Sequence, residues 1–304
     1  MKKVLLTGAS GFIGRHCIPF LLNRGYEVFA IYQNGVPVEC DNVHWLKMDL
    51  LDPIQVEDML AQVKPTHLLH LAWYVAHGKF WASSLNLDWV KASLTLLNSF
   101  SKHGGKRVVA TGTCFEYDLS HGTLSEETTP LKPATLYGSS KLALSIVLEA
   151  FAKQSELSAA WARIFFLFGP HEYPKRFIPS VIRGLLRGEP VPCTHCQQVR
   201  DFLHVEDAAD ALVALLDSSV EGPINISSGD GVSLRSIIEN IENTLQVDGL
   251  VQFGALQPQP FEPSHLIGDA KRLQSELKWQ PRWDLQKGIS NAIEWWSKNL
   301  AFTQ

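Results

Sequence analysis

Three glycines at spacings of three, Gly8-Ala-Ser-Gly11-Phe-Ile-Gly14, lie between an apolar strand pattern and a helix pattern, and no other stretch limits the fold so tightly. Met1–Thr7 is a short apolar run of buried-strand length, and Phe12–Arg24 follows with helical periodicity. Strand, glycine turn and helix in that order open a βαβ unit. Gly8 permits the tight turn, Gly11 lets phosphates approach the backbone, and Gly14 lets the helix pack closely on the strand. Free N–H groups at the positive end of such a helix hold a pyrophosphate. The loop therefore predicts a dinucleotide contacted by Gly8, Ser10, Gly11, Phe12, Ile13 and Gly14. The spacing is G-x-x-G-x-x-G, so this assignment leans on the flanking strand and helix as well as on the glycines.

The same alternation continues. Strands are expected at Glu27–Tyr32, Val43–Lys47, His67–Leu71, Arg107–Thr111 and Ser158–Phe168, and helices at Ile54–Val63, Leu85–His103 and Tyr137–Lys153. Right-handed crossovers at these lengths make a doubly wound parallel sheet, an α/β fold. Ligands of such sheets bind beyond the carboxyl ends of the strands, where Gly8, Asp49, Ala72 and Thr113 all fall. After Gly169-Pro170 the pattern loosens. A dinucleotide-binding domain over 1–169 and a smaller C-terminal α/β substrate lobe over 170–304 are expected, with segments near 201–205 and 223–228 returning to the main domain.

Composition excludes several classes. The 304 residues carry a net charge of −4 with no basic tract, which argues against nucleic acid. No apolar run approaches the roughly 20 residues of a membrane span, and no export signal is evident. Five scattered cysteines, Cys17, Cys40, Cys114, Cys193 and Cys196, fit reduced thiols in a cytoplasmic protein. Cys193-Thr-His195-Cys196 lacks the second ligand pair that structural zinc wants, so no metal is expected.

Tyr137-Gly-Ser-Ser-Lys141 puts a phenol and an ammonium four residues apart, on one face of a helix. A nearby ammonium favours the phenolate and makes the tyrosine a usable acid or base.

Taken together, these residues resemble the extended short-chain dehydrogenase/reductase family of nucleotide-sugar epimerases, dehydratases and reductases, with its Rossmann fold. The likeness spans nearly the whole chain: the glycine loop, Met48-Asp49-Leu50, His70-Leu71-Ala72, Tyr137-x-x-x-Lys141, Gly169-Pro170, Arg200-Asp-Phe-Leu-His-Val-Glu-Asp207, and Glu276-Leu-Lys-Trp279-Gln-Pro281 before Leu285-x-x-Gly288. The resemblance implies a catalytic trio of Thr113, Tyr137 and Lys141, Thr113 standing 24 residues before Tyr137. It further implies cofactor contacts from Asp49, Leu50, Leu71, Ala72 and Thr111, a ribose contact from Lys141, a nucleotide-linked sugar as substrate, and a homodimer through the two long helices.

Departures from the family narrow the chemistry. The dehydratase branch carries two carboxylates directly after this threonine. Here the triplet is Thr113-Cys114-Phe115, and Glu116 comes one place too late. The 3,5-epimerising branches have a cysteine where Phe115 stands, one residue after Cys114. Phe166 replaces an asparagine that contacts the substrate diphosphate in many epimerases, which leaves Arg200, then Arg176, to meet phosphate. His171, after Gly169-Pro170, matches the acid of fucose-type epimerase-reductases. Trp73, His77 and Cys114 complete the expected substrate contacts. No acid ends Ala30-Ile-Tyr32-Gln33-Asn34, and Arg15 follows Gly14, so NADP(H) is expected over NAD(H). Reduction of a 4-keto-6-deoxyhexose at C4 is the leading expectation. The alternatives are a redox-neutral 4- or 3,5-epimerase with retained NAD, and a non-catalytic nucleotide-binding scaffold.

Overall fold

The computed structural model describes residues 2–33, 41–258 and 262–300; Asn34 and Cys40 lie outside them. The first half runs β1 (Lys2–Thr7), α1 (Gly14–Asn23), β2 (Tyr26–Tyr32), β3 (Val43–Lys47), α2 (Pro53–Val63), β4 (His67–His70), α3 (Leu85–Lys102), β5 (Arg107–Thr113), β6 (Thr123–Leu124), α4 (Leu136–Ser155) and β7 (Ser158–Ile164). There follow β8 (Phe166–Phe168), α5 (Phe177–Leu186), β9 (Val191–Pro192), β10 (Val199–His204), α6 (Val205–Leu216), β11 (Gly222–Ile226), β12 (Gly231–Ser233), α7 (Leu234–Leu245), β13 (Val251–Gln252), β14 (His265–Gly268), α8 (Lys271–Ser275) and α9 (Leu285–Asn299).

Seven parallel strands form the main sheet in the order β11-β7-β5-β4-β1-β2-β3. Successive residues of its central strands face opposite layers. Val4, Leu6, Leu69 and Val109 pack with residues of α1 and α6, while Leu5, Leu68 and Val108 pack with residues of α2, α3 and α4. These strands are apolar on both faces because both faces are covered. Each fully buried leucine contributes about 1.5–3 kcal/mol of transfer free energy.

A second sheet, β12-β10-β14-β6 with β8 paired to β10, lies under α5, α7 and α9, whose core holds Ile182, Ile238, Ile289 and Trp296. Of the two later segments singled out in the sequence, Asp201–His204 lies in β10 of this second sheet and Val205 opens α6, whereas Pro223–Ile226 lies in β11 of the main sheet. The strand expected over Ser158–Phe168 is two strands. β7 pairs with β5 and β11, the chain turns at buried Phe165, and β8 leaves to join β10. An unbroken apolar run gives no sign of such a handover, because both halves are buried strands.

Candidate functional site

The glycine loop is as tight as its sequence implies. Gly8 has φ +68°, and a Cβ there would stand 2.9 Å from the Ala72 N. A Cβ on Gly14 would fall 2.2 Å from the Gly8 carbonyl oxygen, and one on Gly11 3.0 Å from the same atom. No side chain caps the first turn of α1 and no acid occupies it, so its positive end faces the loop uncompensated. This cradle fits a dinucleotide pyrophosphate. Ser10, Phe12 and Ile13 lie within it.

Beneath the loop, Thr7 ties β1 to β4. Its oxygen accepts the Leu71 and Ala72 N–H groups at 3.1 and 3.2 Å, and it pairs with His70 Nδ1 at 2.7 Å. Ser93 Oγ donates to the Trp89 carbonyl and lies 2.9 Å from His70 Nε2. The Ser93 oxygen therefore accepts from Nε2–H, which makes Nδ1 the acceptor of the Thr7 proton. Burial, and then the nearby Lys141, hold His70 down at about 3, so the ring is neutral. Asp49 and buried Leu50 follow β3; Asp49 Oδ1 accepts the Leu51 N–H at 3.0 Å.

Thr113 ends β5, two residues beyond the expected strand end, and caps the short turn Cys114–Glu116. Thr135 caps α4 by accepting the Gly138 N–H at 3.1 Å. A Cβ on Gly138 would stand 2.4 Å from the Phe115 carbonyl oxygen, so the first turn of α4 presses on the turn after β5. That contact brings Tyr137 beside Thr113, whose side chain favours the ionised phenol. Burial dominates the Tyr137 hydroxyl and pushes its pKa up, against the lowering expected from Lys141. The Lys141 Nζ is turned elsewhere: it donates to the Thr111 carbonyl at 2.8 Å and lies 3.8 Å from the centre of the Trp73 ring. Burial lowers its ammonium to about 7. The helical spacing puts both residues on one face, but the carbonyl and the indole hold the amine.

Glu116 organises this corner. It is fully buried, and Oε1 accepts the Thr113 N–H at 2.8 Å. The Trp161 indole N–H reaches both carboxylate oxygens at 3.0 Å, and Arg163 Nε donates to Oε2 at 2.8 Å. Arg163 Nη1 also donates to the Tyr117 hydroxyl, which donates to Asn225 Oδ1 on β11. Burial pushes the Glu116 carboxyl up, and Arg163 and these donors offset that. A Cβ on Gly112 would stand 2.2 Å from the Trp161 Nε1 and 2.3 Å from Glu116 Oε1. No local pattern announces this clamp, since Trp161 and Arg163 lie more than forty residues away in sequence.

The expected substrate contacts separate. Trp73 is buried, its indole N–H bonded to Asn86 Oδ1 at 2.9 Å, and its ring lies under the Lys141 ammonium. Cys114 is buried among Tyr117, Leu124, Phe165 and Leu266, an apolar filler whose thiol burial pushes up. His171 is bonded through Nδ1 to Arg15 Nη1 at 2.7 Å, at the glycine loop rather than at Thr113. Burial, then Arg15, hold it at about 4, which leaves no proton to give as an acid near neutral pH. Arg15 also donates to the carbonyls of Ser10 and Gly11 at 2.7 and 3.2 Å.

The two arginines exchange rank. Arg200 is buried and ion-paired to Glu262 at 2.9 Å, whereas Arg176 is exposed, with no ion pair among the described residues. The electrostatic influence of Arg176 extends to Tyr137, Glu172 and His77. The His77 ring lies 5.2 Å from Tyr173, which joins the loop after β4 to the loop before α5. Phe166 is half-buried beside Phe115 and Phe202. Glu172 was not anticipated: it is buried, its Oε2 has no hydrogen-bond partner among the described residues, and burial pushes it up to about 8. No cluster of three His, Cys, Asp or Glu side chains placed for a metal occurs among the described residues.

A phosphate-cradling βαβ unit beside a Thr-Tyr-Lys corner defines a dinucleotide-dependent enzyme. The sequence profile described as the NAD dependent epimerase/dehydratase family matches residues 4–227, and the chain belongs to that family. It is 26% identical to CDP-abequose synthase of Salmonella typhimurium, over 96% of this chain and 98% of that one. The UDP-glucose 4-epimerase of Thermus thermophilus, solved with NAD, superposes with a TM-score of 0.85 at 25% identity, covering 96% and 98% of the two chains. The UDP-N-acetylglucosamine 4-epimerase of Methanobrevibacter ruminantium shares the fold with a TM-score of 0.89 at 24% identity, covering 98% and 99%. No helix among the described residues is long and apolar enough to cross a membrane.

Proposed function

We propose that this protein reduces a nucleotide-linked 4-keto-6-deoxyhexose at C4. The observation that carries the reading is the packing of the first turn of α4 on the turn after β5, which sets Tyr137 beside Thr113 near the glycine cradle, with the neighbouring carboxylate, Glu116, sequestered. The bound dinucleotide supplies the hydride. Tyr137, whose phenol is held in the protonated form by burial, gives its proton to the C4 oxygen as the carbonyl becomes an alcohol. Thr113 donates to the same oxygen as charge gathers on it. Lys141, which donates to the Thr111 carbonyl, would hold the cofactor ribose. Elimination needs free carboxylates beside Thr113, and Glu116 is committed to Arg163.

Arg176 is the better-placed arginine for the substrate diphosphate, being exposed and without an ion pair among the described residues, where Arg200 is buried and paired. NADP(H) over NAD(H) rests on the acid-free end of β2; Arg15 adds nothing to it while bonded to the loop. The exposed Leu85, Leu87, Ile146 and Val147 on α3 and α4 support a homodimer through these helices, which sedimentation tests. The similarity to 4-epimerases supports a second reading, redox-neutral C4 epimerisation with retained NAD.

One experiment separates them. Any dinucleotide retained by the purified protein is identified, and nucleotide-linked keto sugars are then added while the reduced-nicotinamide absorbance is followed. Stoichiometric loss of NADPH establishes reduction, and isomerisation without net redox change establishes the epimerase. If Tyr137→Phe leaves turnover intact, neither stands.

A further inference from the structure

His171 is no acid for the sugar, but it holds the arginine that closes the glycine loop. Arg15 donates from Nη2 to the Ser10 carbonyl, from Nε to the Gly11 carbonyl and from Nη1 to His171 Nδ1, at 2.7, 3.2 and 2.7 Å. The next residue of α1 grips the same segment: His16 Nε2–H donates to the Pro170 carbonyl at 3.2 Å. The Trp295 ring of α9 lies 4.7 Å from the His171 ring. His171 makes these contacts from a left-handed backbone, φ +68°, which is costly for a residue with a side chain and persists where its surroundings over-determine it. Two properties of Arg15 point to phosphate. A guanidinium has five N–H groups and these contacts use three, so one on each Nη is without a partner among the described residues. The side chain is also exposed at the positive end of α1, where no acid offsets it; a cation there is unfavourable by itself, and an anion is favoured.

We propose that His171 is a positioning residue for the dinucleotide: its Nδ1 fixes Arg15 so that the guanidinium closes the glycine loop and offers its remaining N–H groups to the pyrophosphate. The loop between β8 and α5 thereby sets cofactor affinity, although it lies more than 150 residues from the glycines in sequence. A flexible arginine must be ordered before it can bind, and one already held by two carbonyls and an imidazole has little left to lose. The inference rests on the dinucleotide cradle alone and is the same for reduction and for epimerisation.

The test is equilibrium binding, so it does not depend on turnover. The full-length protein, freed of retained dinucleotide, is titrated calorimetrically with NAD and with NADP. Arg15→Met removes the charged donor and is expected to weaken both by at least about tenfold. His171→Gly removes the acceptor from a backbone that glycine adopts freely, and is expected to weaken both by roughly three- to tenfold. His171→Asn tolerates the same backbone and offers Oδ1 in place of Nδ1, so affinity should return to within about twofold of the unmodified protein. Because the histidine acts through the arginine, Arg15→Met combined with His171→Gly should bind no more weakly than Arg15→Met alone. Should His171→Gly not fold, His171→Ala takes its place in both comparisons. Unchanged affinity in the glycine or alanine variant, an asparagine variant as weak as either, or losses that add in the double variant overturn the proposal. A loss confined to NADP also overturns it, since it puts Arg15 on the 2′-phosphate.

Discussion

The Glu116 carboxylate accepts the backbone N–H of Thr113 at 2.8 Å, and through its other oxygen accepts Arg163 Nε at the same distance. A residue that looked like a misplaced dehydratase carboxylate is thereby a positioning group. It anchors the end of β5, and Arg163 carries the connection through Tyr117 to Asn225 on the edge strand β11.

Arg163→Met leaves that carboxylate buried without its counter-charge. Breaking one side of a buried ion pair costs about 3–5 kcal/mol. A denaturant titration should show that loss. Glu116→Gln, which leaves Arg163 buried and charged, should lose a comparable amount, and the double variant should lose less than the sum of the two. Strictly additive losses would remove the ion pair from the account.

Tyr137→Phe deletes the hydroxyl proposed as the proton donor and keeps the ring. Turnover should fall by roughly 10²–10⁴ while dinucleotide affinity, read by fluorescence titration, stays within about twofold. Thr113→Ala should cost about 10²–10³ in kcat, and Thr113→Ser should recover most of it. A serine variant as poor as the alanine would show that the methyl, not the hydroxyl, matters.

Gly14→Ala puts a methyl 2.2 Å from the Gly8 carbonyl oxygen, and backbone cannot yield there as a side-chain tip would. Helix α1 must move off the loop, so dinucleotide binding should weaken by more than about tenfold, a change of 1.4 kcal/mol. Binding isotherms for the variant check this directly.

Two buried groups give stability opposite pH slopes. Glu172 is raised from 4.5 to about 8, so between those values the folded state holds more protons than the unfolded one, and stability falls as pH rises. Lys141 is lowered from 10.5 to about 7, so between 7 and 10.5 the unfolded state holds more protons, and stability rises with pH. Melting temperatures of Glu172→Gln should therefore decline less than those of the unmodified protein from pH 5 to 8. Lys141→Met should rise less from pH 8 to 10. Parallel curves for the variants would mean that neither group titrates as placed.

The features legible in the amino-acid sequence are those that short-range physics enforces. Three glycines between an apolar run and a helix close tightly, because side chains at Gly11 and Gly14 would strike the Gly8 carbonyl within the same turn. What a side chain at Gly8 would strike, Ala72 beyond β4, comes only with the fold. The alternation of strand and helix follows from period and length, and with parallel crossovers it implies the doubly wound sheet. What tertiary structure alone decided are the partners. Lys141 shares a helix face with Tyr137, yet bonds to the Thr111 carbonyl over Trp73, because burial makes the nearest acceptor and ring the better company for its ammonium. Ser158–Phe168 reads as one strand but serves two sheets, and Arg200 reads as a phosphate ligand but neutralises Glu262. Each of these outcomes was set by desolvation, which depends on groups that only the folded chain brings together.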